Sequence, residues 1–320
     1  MTAVAVRKTE MLKGEICAPP SKAYTQRMTI AAALASGTSK ISNPLFSDDT
    51  EATLRAVTSL GAKVNATKDC LTVKGVQTLK AAQTPIDCGE SGATLRFMIP
   101  VAALASGPST FLLGKSLEQR PMEPLLKSLK QLGVDVQFQR SAKKTSIFVK
   151  GGGIQGGQTT IRGDVSSQFI SGLMFACPLA TAETQIDVTP PLESKGYVKM
   201  TQTVLAEHGA EVSISENYDR LRIPPNQKYK PCNHRVPGDF SSCTRCSGLR
   251  VPPISGRMAS SCPGRPRRPV PCPSKAVSRW RLHARSRGPK ILMRGGPNLR
   301  HSLRPTSLLF RVRNPSRSMN

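Results

Sequence analysis

A strand-like run that passes through a Gly/Pro turn into a serine recurs along this chain: GEICAPPSK (14–22), TPIDCGESG (84–92), TTIRGDVSSQ (159–168) and NHRVPGDFSS (233–242). The serines Ser21, Ser91, Ser166 and Ser241 stand 70, 75 and 75 residues apart. A fixed period specifies repeated supersecondary units that share a core. The first three serines each precede an apolar stretch rich in small residues. The fourth precedes CTRCSGLRVPPISGRM (243–258), which has no such character. The repeat therefore organises residues up to 242 and sets the remaining 78 apart.

Each complete repeat holds two helices of different kinds. Residues 28–36, 95–106 and 169–180 are Ala-rich and apolar on most faces, which predicts buried helices. Small side chains let such helices pack closely, in keeping with an aromatic content of only 4%. Residues 53–64, 124–136 and 202–212 are amphipathic and run into Gly61, Gly133 and Gly209, placed where a left-handed backbone ends a helix. Short strands follow at 70–73, 145–149 and 221–223. The unit reads βαβαββ, and three of them, from residue 14 to about 223, close one domain around the Ala-rich helices.

Charge divides at the same place. The formal net charge is +26, but residues 243–320 carry 18 Lys and Arg, 16 of them Arg, and no acidic residue. The first 242 residues hold 28 basic and 20 acidic side chains, a mildly basic balance suited to small anionic substrates. The tail also contains 11 Pro and 11 Ser, a composition that cannot bury enough apolar area to offset chain entropy. Residues 243–320 are expected to be disordered, as a stretch translated out of frame or as a genuine basic tail. The five cysteines before residue 243 (Cys17, Cys70, Cys88, Cys177, Cys232) are scattered, and neither a secretory leader nor a membrane span is legible. They read as free thiols in a cytoplasmic protein.

The turn–serine–helix junctions suggest chemistry. A helix N-terminus offers unpaired N–H groups and partial positive charge, suited to phosphate or carboxylate. The three junctions bring Ser21, Lys22 and Arg27; Ser91, Gly92 and Arg96; and Ser166, Ser167 and Gln168. Any one of these serines alone reads first as an ordinary helix cap. Three equivalent junctions, each with polar helpers, point to one polyanion site.

PPSKAYTQR (19–27), NPLFSDDT (43–50), CGESGATLR (88–96), RPM (120–122), GDVSSQF (163–169), ESKGYVKMT (193–201) and VPGDFSS (236–242) together resemble the 5-enolpyruvylshikimate-3-phosphate synthase family, archaeal-type members in particular. The resemblance covers about residues 8–242 and stops at Cys243. It implies an α/β fold, an inside-out barrel of βαβαββ repeats with one domain complete and the second largely missing. Residues 1–18 and 233–242 would belong to that split second domain, and 19–232 to the three-repeat domain. It also implies a transferase of the shikimate pathway, which moves the enolpyruvyl group of phosphoenolpyruvate to the 5-hydroxyl of shikimate 3-phosphate and releases phosphate. No metal or organic cofactor is implied. On this likeness Asp239 takes the hydroxyl proton and Lys22 contacts both substrates. Shikimate 3-phosphate is held by Lys22, Arg27, Ser166, Ser167, Gln168, Ser194, Tyr197 and Asp239. Phosphoenolpyruvate is held by Lys22, Gly92, Arg120 and Gln168.

Departures from the family pattern bear on this. Ala23 stands where the family has serine, costing about 1 kcal/mol if a buried hydrogen bond is lost. Gly196 replaces proline, and Glu90 follows the archaeal-type pattern. The family's later Lys-Glu and Asp-His-Arg segments have no counterpart, so the chain is expected to be inactive alone. The related UDP-N-acetylglucosamine transferases need a cysteine within 114–122, where none stands. Asp239 taken by itself fits a turn residue, and His208 reads as a solvated helix end. A Cys243/Cys246 pair does not make a compact zinc site. The competing reading is an Arg-rich tail that binds nucleic acid nonspecifically through phosphates. Trp280 and Phe310 are the tail's only aromatic residues, too few for a base-stacking surface.

Overall fold

The computed structural model describes residues 11–140, 145–239 and 279–285, with backbone alone for 11–17 and 279–285. In chain order the elements are β1 (Met11–Cys17), α1 (Lys22–Leu34), β2 (Thr38–Ser42), α2 (Asp48–Ser59), β3 (Lys63–Ala66), β4 (Cys70–Lys74), β5 (Ile86–Asp87), α3 (Gly92–Ala102), β6 (Ser109–Leu112), α4 (Glu123–Gln131), β7 (Val136–Arg140), β8 (Thr145–Val149), β9 (Gly157–Arg162), α5 (Ser167–Ala176), β10 (Thr184–Thr189), α6 (Lys195–Glu207), β11 (Ser213–Ile214), β12 (Arg220–Ile223), β13 (His234–Arg235) and β14 (Arg279–Arg285). They fall into two compact units, one spanning Pro20–Pro237 and one made from both ends of the chain.

Three four-stranded sheets of one design build the Pro20–Pro237 unit. In the second, β5 runs parallel to β6, which pairs antiparallel with β8, and β7 closes the far edge. The third repeats this with β9, β10, β12 and β11. The first has β2, β4 and β3 in the same places, but its leading strand comes from the distant β13, parallel to β2 with Ile41 opposite His234. The repeat period assigns that place to residues 14–22, whereas the family resemblance gives both 1–18 and 233–242 to the split domain; of these, 1–18 do lie in the other unit, while β13 does not. Residues 11–17 form β1, which pairs antiparallel with β14, Met11 opposite Arg285.

Burial follows the expected division of helices. Every residue of α1 from Thr25 to Leu34 is buried, as are nearly all of α3 and α5. α3 lies against α5, α2 against α1 and α3, and α6 against α1 and α5. Phe97 and Phe175 meet edge-to-face between α3 and α5, ring centres 5.6 Å apart. These aromatic side chains and the surrounding Ala, Ile, Leu and Met form one continuous hydrophobic core. Gly172 permits the approach, since a Cβ there would sit 2.3 Å from the Arg96 carbonyl oxygen. The glycine stops are in place: Gly61, Gly133 and Gly209 have φ of +107°, +82° and +77°.

Four differences from the sequence reading have physical causes. The buried helices start earlier than the apolar pattern suggests, at Lys22, Gly92 and Ser167, because their first turns carry polar residues. The outer helices start earlier too, α2 at Asp48 under a Ser47–Thr50 capping box. The run RWRLHAR is a strand, β14, where the tail was expected to hold no regular element; its composition concealed its apolar/polar alternation. His208, expected to be solvated, is fully buried at the end of α6. Its Nδ1 faces the Lys230 carbonyl oxygen at 2.7 Å, and its Nε2 faces His234 Nε2 at 2.8 Å. His234 Nδ1 in turn lies 3.0 Å from Glu207 Oε2. The expectations for 243–278 and 286–320, nucleic-acid and zinc contacts included, fall outside the described residues. Among the described residues no helix is long and apolar enough to cross a membrane.

Candidate active site

The first turns of α1, α3, α5 and α6 line one cleft of about 530 Å³. α1 contributes Lys22, Ala23, Gln26 and Arg27; α3 contributes Gly92 and Arg96; α5 contributes Ser167 and Gln168, capped by Ser166. Ser194 and Tyr197 come from the start of α6, and Arg120 from the loop before α4. Helix N-termini and four cationic side chains thus converge where an anion can be received.

The capping serines differ among themselves. Ser91 Oγ accepts from Thr94 N–H at 3.3 Å, and Ser166 Oγ accepts from Gln168 N–H at 3.2 Å. Ser21 occupies the cap position of α1 without a side-chain cap bond. Ser194 occupies the cap position of α6 with a left-handed backbone, φ 58°, and likewise without a side-chain cap bond. Helix capping and lining the cleft are therefore combined in Ser166, while Ser194 lines the cleft from a cap position with no such bond.

Arg27 is 2% exposed. Its Nε donates to Thr201 Oγ1 at 2.8 Å and its Nη1 to the Ala23 carbonyl oxygen at 3.0 Å. The guanidinium lies 4.9 Å from the Phe97 ring centre and 5.5 Å from that of Tyr197. Burial pushes its pKa down to about 10, so it stays charged at neutral pH. Among the described residues no carboxylate pairs with it. Arg96 Nη1 donates to Gln168 Oε1 at 2.7 Å, tying α3 to α5, while its Nε is buried without a partner. Burial, and then Arg120, lower the Arg96 pKa.

Two carboxylates temper these cations. Lys22 Nζ forms an ion pair with Asp49 Oδ2 at the start of α2. Burial opposes ionisation of Asp49, but hydrogen bonds from Lys22 and Ser91 outweigh it and hold the carboxyl below its ordinary range. Glu90 accepts from Ser116 N–H at 3.1 Å and from its hydroxyl, and Arg120 Nη2 reaches Ser116 Oγ at 3.4 Å. Gly92 makes room for this group, since a Cβ there would stand 2.8 Å from Arg120 Nη1.

Of the residues singled out in the sequence, Lys22, Arg27, Gly92, Arg120, Ser166, Ser167, Gln168, Ser194 and Tyr197 all line this cleft. Asp239 does not; it belongs to the other unit, where its N–H donates to the Pro19 carbonyl oxygen at 2.7 Å. Asp49, Gln26 and Glu193 also line the cleft without having been singled out. Asp49 sits inside the quoted run NPLFSDDT, and its place beside a helix start was the available signal.

Comparison with known proteins gives the family. The family model described as EPSP synthase (3-phosphoshikimate 1-carboxyvinyltransferase) matches residues 6–246. The 3-phosphoshikimate 1-carboxyvinyltransferase of Methanocaldococcus jannaschii is 40% identical over 247 residues, 76% of this chain and 57% of that protein. Its counterpart in Clostridium beijerinckii is 39% identical over 237 residues, 72% of this chain and 54% of that protein. The solved EPSP synthase from Acinetobacter baumannii superposes with a TM-score of 0.64 at 26% identity, covering 72% of this chain and 51% of that one. The chain spans about half the length of the curated relatives it matches. By the family match, the identity to these relatives and the shared fold, the chain belongs to the EPSP synthase (3-phosphoshikimate 1-carboxyvinyltransferase) family.

Proposed function

We propose that the cleft of the Pro20–Pro237 unit holds shikimate 3-phosphate beside phosphoenolpyruvate, the substrate side of an enolpyruvyl transfer. The observation that carries this reading is the convergence of helix N-termini with four cationic side chains, one of them a buried arginine with no carboxylate partner among the described residues. A buried guanidinium without a counter-charge is costly, and a ligand carboxylate would supply one. Arg27 therefore takes the ring carboxylate, with Tyr197 bounding the ring. Ser166, Ser167 and Ser194 take the 3-phosphate, where hydroxyl donors meet the N-terminus of α5. Gln168 lies between the two substrates.

Lys22 and Arg120 take the phosphate of phosphoenolpyruvate, with Gly92 leaving space beside them. A planar guanidinium suits bidentate phosphate contact, and an ammonium acts as a point charge. Attack of an alcohol on an enol phosphate needs a base at the hydroxyl and a proton delivered to the methylene carbon. We assign Asp239, which lies in the other unit, as the base; the family's later Lys-Glu and Asp-His-Arg segments, which have no counterpart in residues 243–320, would complete the chemistry. Free thiols at Cys70, Cys88, Cys177 and Cys232 support a cytoplasmic setting.

Titration calorimetry of the full chain with shikimate 3-phosphate tests the reading. Saturable heat is expected, with affinity falling tenfold or more in Ser167→Ala, since a hydrogen bond to a charged group contributes roughly 1.5–3 kcal/mol. Phosphate release with both substrates is expected to stay at background. Absence of heat up to millimolar ligand overturns the binding assignment, and turnover overturns the restriction to binding.

A further inference from the structure

Where α3 meets α5, one arginine reaches two side chains of the cleft. Arg96 Nη1 donates to Gln168 Oε1 at 2.7 Å and, at the longer distance of 3.5 Å, to Ser166 Oγ. Ser166 Oγ also accepts the Gln168 N–H at 3.2 Å. The guanidinium lies 5.1 Å from the Phe169 ring centre, which steadies it. Its Nε is buried without a partner, so among the described residues its hydrogen bonds all run through Nη1.

Side-chain amides and hydroxyls can both give and accept hydrogen, whereas a guanidinium and a backbone N–H only give. Facing Arg96, the Gln168 amide must therefore turn its oxygen toward α3. Its Nε2, with two hydrogens, has no acceptor among the described residues and is not buried, so it opens on the cleft that Gln168 lines. Ser166 Oγ meets two donors, which leaves its own hydrogen unused. Two groups that could serve in either role are thus restricted to giving hydrogen. They stand at the start of α5, where the first backbone N–H groups give hydrogen as well. A ligand seated there must be an acceptor throughout.

We infer that Arg96 is a positioning residue: it fixes the Gln168 amide and the Ser166 hydroxyl as donors, so that this junction receives only acceptors, such as the oxygens of an ionised phosphate. Arg96 lines the cleft but acts through these two neighbours and need not touch ligand. That the acceptor belongs to shikimate 3-phosphate rests on the proposed function; the orientation of the amide does not.

A charged donor on an amide oxygen increases the double-bond character of the C–N bond, so the two Nε2 hydrogens trade places more slowly. Proton–nitrogen NMR of the full chain reads this interchange, with Gln168→Glu identifying the signals. It is expected to be slower at Gln168 than at exposed Gln119, and to quicken in Arg96→Leu. Interchange at Gln168 of the wild type as fast as at Gln119 overturns the inference, whether or not the variant folds. Calorimetry is expected to show shikimate 3-phosphate binding weakened roughly tenfold in Arg96→Leu, the size of a hydrogen bond to a charged group. Arg96→Lys keeps the charge without the planar fork and is expected to bind nearly as weakly. Wild-type affinity in Arg96→Lys shows that charge alone suffices and overturns the inference. Gln168→Glu still accepts from Arg96 but offers the ligand no hydrogen, so its affinity is expected to fall too; unchanged affinity there overturns the donor role. Absence of binding by the wild type counts against the proposed function and leaves the NMR result to decide the amide's orientation.

Discussion

An imidazole has two nitrogens, and all four of those in His208 and His234 are engaged. The Lys230 carbonyl oxygen can only accept, so His208 Nδ1 must carry a hydrogen. The Glu207 carboxylate asks the same of His234 Nδ1. The two Nε2 atoms face each other and share one hydrogen between them. His234 as the cation and neutral His208 satisfy every position. Burial pushes the His208 pKa down to about 4, with the charge of His234 adding to it. Burial also acts to lower His234, but Cys232 and Glu207 outweigh it and raise the pKa to about 9. From about pH 4 to 6.5 the unfolded His208 binds the extra proton, so stability rises with pH. From about 6.5 to 9 the folded His234 keeps the extra proton, so stability falls. This pair therefore contributes most near pH 6.5. Urea unfolding across this range is expected to show the alkaline decline flattened in Glu207→Gln and His234→Gln; an unchanged slope in both refutes the assignment. None of this was legible in the sequence, because the helix pattern at His208 is the same whether its partner at His234 exists or not.

Among the helices, α3 and α5 pack together at Gly172. Gly172→Ala adds a methyl group 2.3 Å from a backbone oxygen, so the helices must part. The strain, roughly 1–3 kcal/mol, exceeds the helix-propensity gain of about 1 kcal/mol. Urea unfolding should show net destabilisation, and a more stable protein would show that the helices yield freely. Because Arg96 and Gln168 bridge the same two helices, ligand affinity should fall with it. The helices themselves were legible from Ala-rich runs and glycine stops. Their starts were not, because Lys22, Gly92 and Ser167 belong to the cleft and interrupt the apolar pattern that marks a buried helix. The residues that read worst as helix are those that make the site.

For the whole molecule, three sheets around one core behave as one cooperative body if the first is closed as firmly as the others. Val236, 1% exposed, donates its N–H to the Ser42 carbonyl oxygen at 2.9 Å and anchors β13. Val236→Pro removes that donor and the fit of the side chain, at a cost of roughly 2–4 kcal/mol. Circular dichroism melting with hydrogen exchange is expected to show protection falling in all three sheets together. Loss confined to β2 would mean that the first repeat opens by itself. The repeat period announced three units, but it could not reveal that the first takes its leading strand from beyond the third.

That borrowed strand has a consequence for synthesis. A chain leaving the ribosome can complete its second and third sheets from strands already emerged. The first sheet must wait, with the edge of β2 unpaired, until His234 appears, 193 residues after its partner Ile41. An open strand edge invites pairing with other chains. The nascent protein is thus most exposed to misassembly at the repeat it makes first, and release from that hazard coincides with the arrival of two residues.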